Sequence, residues 1–487
     1  MQLSSLRRDW AAHPVRELLA GSVATFALIP EVIAFSFVAG VDPQVGLFAS
    51  FVIGIVIAFA GGRPAMISAA AGSVALVAAP LVHSHGLPYL LAAGLLAGLL
   101  QILFGLLRLG VLMRFVSKSV RTGFVNALAI LIFWAQVPHI IGGSWISYAV
   151  LAAGLGVIYL VPRMTTAVPS PLVCILVLTL GCIALKLPVE TIADLGRLPD
   201  SLPFFSWPAV PMTIDTLLVI AGPAVAIAMV GLLESLMTAS VVDDLTNTSS
   251  SKNRECSGLG LANVASSLFG GIAGCGMIGQ TVSNVKYGGR GRLSTLFAGA
   301  LLLILVVALK PWVSQVPVAA LVAIMVMVSI DTFDWSSLRS LVAHPKMSST
   351  VMLATVLVTV ATSNLALGVS VGVVLSGVFF AFKVAGLLDI VTEVDGDRSH
   401  VSYRVKGQVF FASADAFIDA FAIDEAADMT VEIDVTQAHF WDITAVAALD
   451  KVVQRYQAHG IDVQVSGLNA ASATLIDSLD KGATEAV

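Results

Sequence analysis

Mostly aliphatic runs separated by short polar breaks dominate the first four-fifths of the chain. They fall at 16–38, 44–60, 68–84, 88–107, 120–141, 145–161, 169–186, 213–237, 258–271, 276–287, 294–312, 316–330, 348–365 and 367–387. A helix needs about 20 residues to cross a hydrocarbon core about 30 Å thick. The pattern therefore predicts a polytopic α-helical membrane protein of fourteen spans over residues 1–387. From residue 388 the pattern changes. "VSYRVKGQVFF" (401–411), "MTVEIDV" (429–435) and "IDVQVSG" (461–467) read as strands, and "ITAVAALDKVVQRYQAHG" (443–460) has helical apolar spacing ended by Gly460. Strands mixed with a helix predict a small α/β domain at 388–487.

Composition supports the division. Hydrophobic residues make up 57% of the chain and charged residues 12%, with a mean hydropathy of +0.93, whereas soluble chains carry about 25% charged residues. Residues 1–387 hold 20 Lys and Arg against 14 Asp and Glu (+6), and residues 388–487 hold 6 against 17 (−11). A cytoplasmic N-terminus places 17 of the 20 basic residues of the first region inside, leaving Lys186, Arg197 and Lys310 outside. That bias follows the positive-inside rule and puts the C-terminal domain in the cytoplasm as well. The first residues lack a cleavable apolar core, and they read as a retained cytoplasmic lead. A bacterial inner membrane is the expected location, with the lipid bilayer as the surrounding partner and no nucleic acid. Cys174, Cys182, Cys256 and Cys275 are scattered, so they predict neither a disulfide framework nor a metal site. No H-E-x-x-H, G-x-S-x-G or Walker pattern argues for an enzyme.

Two apolar runs are interrupted alike. "GGRPAMISAAAGSVAL" (61–76) and "GGIAGCGMIGQTVSNVKYGG" (270–289) each open on glycines, pass through small residues and end in a helix too short to cross alone. Non-helical backbone at membrane depth must be buried in protein or line a wet cavity. As third and tenth of fourteen runs, they predict inverted halves of seven spans whose half-helix N-termini face each other and offer N–H groups to an anion. Ser73 would add a hydroxyl donor, and "GCGM" would bring Gly276 and Met277 close to the substrate. Two carboxylates lie inside spans, Glu31 after Pro30 and Glu234 in "VGLLESLMTASVVDD", with Thr238 on the same helical face as Glu234. A charge at the bilayer centre costs about 2.5–3.5 kcal/mol on insertion scales, so these residues read as members of an ion or proton pathway. An anion beside two carboxylates costs Coulomb energy that a proton removes. Proton coupling is thus expected. Sodium, held by Glu234, Thr238 and backbone carbonyls, is the competing coupling ion, and no other cofactor is expected.

Four stretches together resemble the sulfate permease (SulP) family of anion transporters: "LIPEVIAFSFVAGVDPQVGLFASF" (28–51), "GLLESLMTASVVDD" (231–244), "NVKYGGRGRLSTLFAG" (284–299) and "VEIDVTQAHFWDITAVAAL" (431–449), the last similar to a STAS domain. The resemblance implies seven plus seven inverted spans divided into core and gate domains, a homodimer, and elevator-type alternating access. It implies substrate-binding positions at Glu31, Phe35, Ser73, Glu234, Thr238 and Gly276 to Gln280, with Met277 and Ile278 between. Several relatives place an arginine where this chain has Gln280. Binding would then lean on the helix ends, with millimolar affinity, about −4 kcal/mol. The expected activity is secondary active transport, proton-coupled symport of a small organic anion such as a C4-dicarboxylate. Sodium-coupled bicarbonate or sulfate transport, exchange, or a channel are the alternatives. In "WDIT", Thr444 is either a regulatory phosphorylation site or, as preferred, the residue that caps the following helix.

Overall fold

The computed structural model describes residues 9–10, 13–141, 143–164, 169–343, 346–395, 399–422, 430–469 and 472. Contacts divide the chain into two compact units, residues 1–373 and 374–487.

The first unit is helical. In order it contains α1 (Pro14–Ala39), α2 (Pro43–Ala60), strand β1 (Ser68–Ala69), α3 (Gly72–His85), α4 (Leu87–Leu106), α5 (Lys118–Ile140), α6 (Trp145–Met164), α7 (Ser170–Ala184), the single turn α8 (Ile192–Leu195), α9 (Ile214–Thr246) and α10 (Lys252–Leu268). Strand β2 (Cys275–Gly276), α11 (Ile278–Lys286), α12 (Arg292–Ala308), the turn α13 (Lys310–Val313), α14 (Val318–Thr332), α15 (Ser336–Ala343), α16 (Lys346–Thr362) and α17 (Leu365–Ala385) follow, the division at residue 373 falling within α17. Among the described residues eight helices, α1, α2, α4, α5, α6, α9, α14 and α17, are long and apolar enough to cross a membrane; α7, α12 and α16 are shorter apolar helices. Local chemistry sets the ends. Gly40 terminates α1 at φ 75°, the left-handed region glycine enters without a Cβ penalty. Thr213 opens α9 by accepting from the Thr216 N–H, and Asn247 closes it at φ 48°.

Glycines bring several of these helices together. A Cβ on Gly98 would lie 2.7 Å from the Gly260 carbonyl, and one on Gly372 would lie 2.2 Å from Thr355 Oγ1, so each allows close helix approach. Two buried acids pin the breaks in the helical pattern. Glu255 accepts from the backbone N–H groups of Gly62 (2.7 Å) and Arg63 (3.0 Å), on the approach to β1. Glu17 accepts from Arg290 (2.7 Å), Gly291 (2.8 Å) and Ser294 (3.1 Å), after α11. Asp243 pairs with Arg63 (3.0 Å) and Lys252 (2.8 Å).

The second unit contains a four-stranded sheet of order β3-β4-β5-β6, built from β3 (Asp389–Val394), β4 (His400–Val409), β5 (Thr430–Phe440) and β6 (Val463–Ser466). The first pair is antiparallel and the other two are parallel. Helices α18 (Ala414–Asp419) and α19 (Ile443–Ala458) accompany it. Alternate residues Val401, Tyr403 and Val405 of β4 and Val431, Ile433 and Val435 of β5 point into one core, which Ala445, Leu449, Val452 and Tyr456 of α19 close. The cap of α19 differs from expectation. Asp442, not Thr444, is the N-cap: its Oδ1 accepts from the Ala445 N–H (2.9 Å) and its Oδ2 from Phe411 (2.9 Å). A carboxylate at that position satisfies two donors at once, and Thr444 is left exposed in the first turn.

Candidate functional site

The two interrupted segments cross. β1 and β2 pair antiparallel, Ser68 opposite Gly276 and Ala69 opposite Cys275, and the Met277 N–H donates to the Ile67 carbonyl (2.8 Å). This short ladder supplies the partners that unwound backbone needs at membrane depth. Glycine makes the crossing possible, because a Cβ on Gly274 would lie 2.1 Å from the Ala69 carbonyl oxygen. Asn263 locks the same residue, accepting from the Gly274 N–H (2.9 Å) and donating to its carbonyl (3.2 Å).

From the crossing, α3 and α11 run outward, so both helix N-termini lie at its centre. Neither the N-cap of α3, Ala71, nor that of α11, Met277, gives a side-chain cap bond. The first N–H groups of each helix have no intrahelical acceptor, and they carry the positive end of the helix dipole.

A cavity of about 330 Å³ opens beside these ends, at the lower limit of the roughly 300–1,000 Å³ usual for small-molecule sites. One wall carries Glu31 and Phe35 of α1, Ser73 of α3, Glu234 of α9, and Met277, Ile278 and Gln280 of the tenth-run segment. The opposite wall comes from α5, with Phe124 and Leu128, and from α14, with Met327, Val328 and Asp331. Glu234 accepts from the Ser73 hydroxyl and from the Cys275 thiol (3.0 Å), so both broken segments hold it. The Gln280 side chain lines the cavity together with Glu31. Among the described residues no Lys or Arg lines the cavity. Its polar groups are uncapped helix ends, two hydroxyls (Ser73 and Thr332), an amide and three carboxyl groups, a set able to hold a small anion by N–H donation while the carboxyl groups exchange a proton or cation.

Seven of the residues singled out from sequence thus line one cavity. Gly276 and Thr238 stand one layer behind it. A Cβ on Gly276 would lie 3.2 Å from Met66 and Ser235, so its lack of a side chain serves packing between backbones rather than approach to the cavity. The Thr238 hydroxyl, fully buried, donates to the carbonyls of Glu234 (2.8 Å) and Gly276 (3.1 Å). Thr444 belongs to the other unit. Sequence reasoning missed Cys275, taken as a small buried side chain, although it adjoins Gly276 in the motif. It also missed Asp331, an acid at the end of an apolar run that the rule used for Glu31 would have flagged. Among the described residues no cluster of three or more His, Cys, Asp or Glu side chains is arranged to hold a metal.

Comparison with known proteins decides the family. Residues 15–151 and 144–355 match the sulfate permease family, and residues 391–482 match the STAS domain. The chain belongs to the sulfate permease family. It is 50% identical over 475 residues, 98% of this chain and 99% of the other, to YbaR of Bacillus subtilis, provisionally named a sulfate transporter. It is 25% identical over 512 residues, 95% of this chain and 90% of the other, to the bicarbonate transporter BicA of Synechocystis. The fold matches that of murine Slc26a9, an anion transporter in its inward-facing state, at a TM-score of 0.84 and 18% identity, covering 98% and 89% of the two chains. This sulfate permease family member is a multi-pass membrane anion transporter with a STAS domain, and its family is one of transporters rather than enzymes.

Proposed function

We propose that the protein is a secondary active transporter that moves a small organic anion, such as a C4-dicarboxylate, together with protons. The observation that supports this reading is the pairing of two uncapped helix N-termini with Glu31 and Glu234 in one cavity that, among the described residues, no Lys or Arg lines. The helix ends supply attraction for a carboxylate. Glu31 and Glu234 oppose it, and in a medium of low dielectric the opposition is strong. A proton on either glutamate removes it, so anion and proton enter together. Ser73 and Cys275 hold Glu234 at the crossing of the two broken segments, and movement of that crossing would carry anion and proton as one cargo. Elevator-type alternating access by a homodimer, with both termini cytoplasmic and the chain in a bacterial inner membrane, completes the proposal.

Bicarbonate or sulfate transport coupled to sodium is the second reading, favoured by the names of BicA and YbaR. Against sodium stands the position of Thr238, an expected oxygen ligand that is buried behind the cavity rather than lining it. Uptake of radiolabelled fumarate, bicarbonate and sulfate into proteoliposomes, with an inward proton or sodium gradient imposed separately, distinguishes the readings. Accumulation of fumarate driven by the proton gradient supports the first. Sodium-driven bicarbonate or sulfate uptake that ignores pH supports the second, and passive flux unaffected by either gradient supports an exchanger or channel.

A further inference from the structure

A second cavity of about 280 Å³ lies behind α1, remote from the helix ends of the anion site. Its floor is Pro30 and Ile33 of α1, its far wall Ile175 and Thr179 of α7, and Trp312 and Val316 close one end. Among the described residues its lining is aliphatic and aromatic, with two polar atoms, the Trp312 indole N–H at the rim and the Thr179 hydroxyl inside. Thr179 is 5% exposed and its hydroxyl has no hydrogen-bond partner. Several buried hydroxyls in these helices turn back on the carbonyl four residues earlier, as Thr25, Ser36 and Thr355 do, a common solution for such residues, whereas Thr179, like Ser267 and Thr359, does not. Thr179 lines an apolar groove instead.

The groove opens beside exposed Leu176 and Leu180, and Trp312 at its rim is 59% exposed. Lys310, two residues before Trp312, pairs with Asp200. Trp and Lys together mark a membrane–water interface. The same end is tied to the turn after α7, where the Ile192 N–H donates to the Val316 carbonyl (3.0 Å). Thr179 lies five residues before Ala184, the end of α7, which at 1.5 Å per residue is about 7–8 Å along the helix.

We propose that this groove is a lipid site: it takes one acyl chain of a glycerolipid, whose ester carbonyl accepts the Thr179 hydroxyl. An apolar chain fits walls whose other polar group is the Trp312 indole N–H at the exposed rim, and an ester carbonyl is the lipid atom able to satisfy the Thr179 donor just inside the interface. The site has a functional address. Pro30 and Ile33 form its floor, while Glu31 and Phe35 of the same turns line the anion cavity. A chain in the groove therefore contacts the back of the helix whose front meets the anion, and any preference of lipid for one position of α1 shifts anion affinity in return.

The test uses the full chain in proteoliposomes containing a phosphatidylglycerol with a photoreactive diazirine near the ester end of one acyl chain, with adducts mapped by peptide mass spectrometry. Adducts should concentrate on residues 172–180 and 305–316, above the lipid-facing reference at Val374, Phe380 and Phe382 of α17. Thr179→Val preserves shape and removes the hydroxyl, and loss of one hydrogen bond should lower groove labelling about fivefold. Thr179→Trp should fill the groove and abolish that labelling while the α17 adducts persist. Three results overturn the proposal: groove labelling no higher than the α17 reference, groove labelling unchanged in both variants, or a groove that resists lipid labelling because protein covers it.

Discussion

The two walls of the anion cavity are built on different principles. The wall from α1, α3, α9 and α11 is fastened by hydrogen bonds: Ser73 and Cys275 to Glu234, and the β1–β2 ladder beneath them. The wall from α5 and α14 meets it with Phe124, Leu128, Met327 and Val328, whose side chains form no hydrogen bonds, and places its acid, Asp331, at the end of α14. Hydrogen bonds demand one geometry, whereas apolar contacts tolerate a change of register at modest cost. The comparison teaches that position and charge are specified on the first wall, and that the second is suited to sliding past it.

Changes on the fastened wall should therefore do most damage. Gly274→Val drives a side chain into the Ala69 carbonyl, 2.1 Å from the Cβ position, and backbone cannot yield as a flexible side chain would. Thermal unfolding in detergent should show a marked loss of stability, since overpacking costs about 1–3 kcal/mol or more, and uptake should vanish. Ser73→Ala removes a hydroxyl donor beside the two helix ends and should weaken anion affinity about tenfold, the worth of one hydrogen bond to a charged group. Met327→Leu on the opposite wall conserves volume and should change affinity less than about twofold. Equal effects from these two substitutions would erase the distinction between the walls. Gln280→Arg adds a fixed cation beside the helix ends, and titration calorimetry should record tighter binding of a dianion, by about tenfold. The smallest effects belong to the STAS domain. Asp442→Ala removes the α19 cap, at about 1 kcal/mol of domain stability, and should leave anion affinity unchanged. In the same domain the Thr436 hydroxyl and N–H hold the Asp434 carboxyl below the usual carboxylate range. Its contribution is complete above the unfolded-state value near 3.9 and is lost as pH falls through the lower folded-state value. Acid unfolding of Asp434→Asn should be less pH-dependent over that window.

The helical membrane region and the α/β domain were legible because hydrophobic period is a local property. The strands at 401–409 and 430–435 and the helix at 443–458 declared themselves by alternation and helical spacing. The broken segments were legible from glycines where a span should continue. The antiparallel pairing of Ala69 with Cys275 was not, since nothing within either segment names its partner two hundred positions away. For the same reason Glu234 was recognisable as an acid inside a span, while its two donors, one from each segment, were not. The opposite wall escaped notice because Phe124 and Met327 look like any other residues of apolar spans, and only their placement around the cavity gives them a role. Gly276 shows the reverse error: a glycine read as making room for substrate makes room for Ser235 and Met66.

The central claim is that an anion held at the two helix ends enters with a proton carried by the glutamates beside it. It is tested most directly by fumarate uptake into proteoliposomes under an imposed inward proton gradient, for the wild type, Glu31→Gln and Glu234→Gln. The account predicts that the wild type accumulates fumarate only with the gradient, and that at least one variant still exchanges fumarate but no longer accumulates it. Accumulation that ignores the proton gradient and survives both substitutions would contradict it.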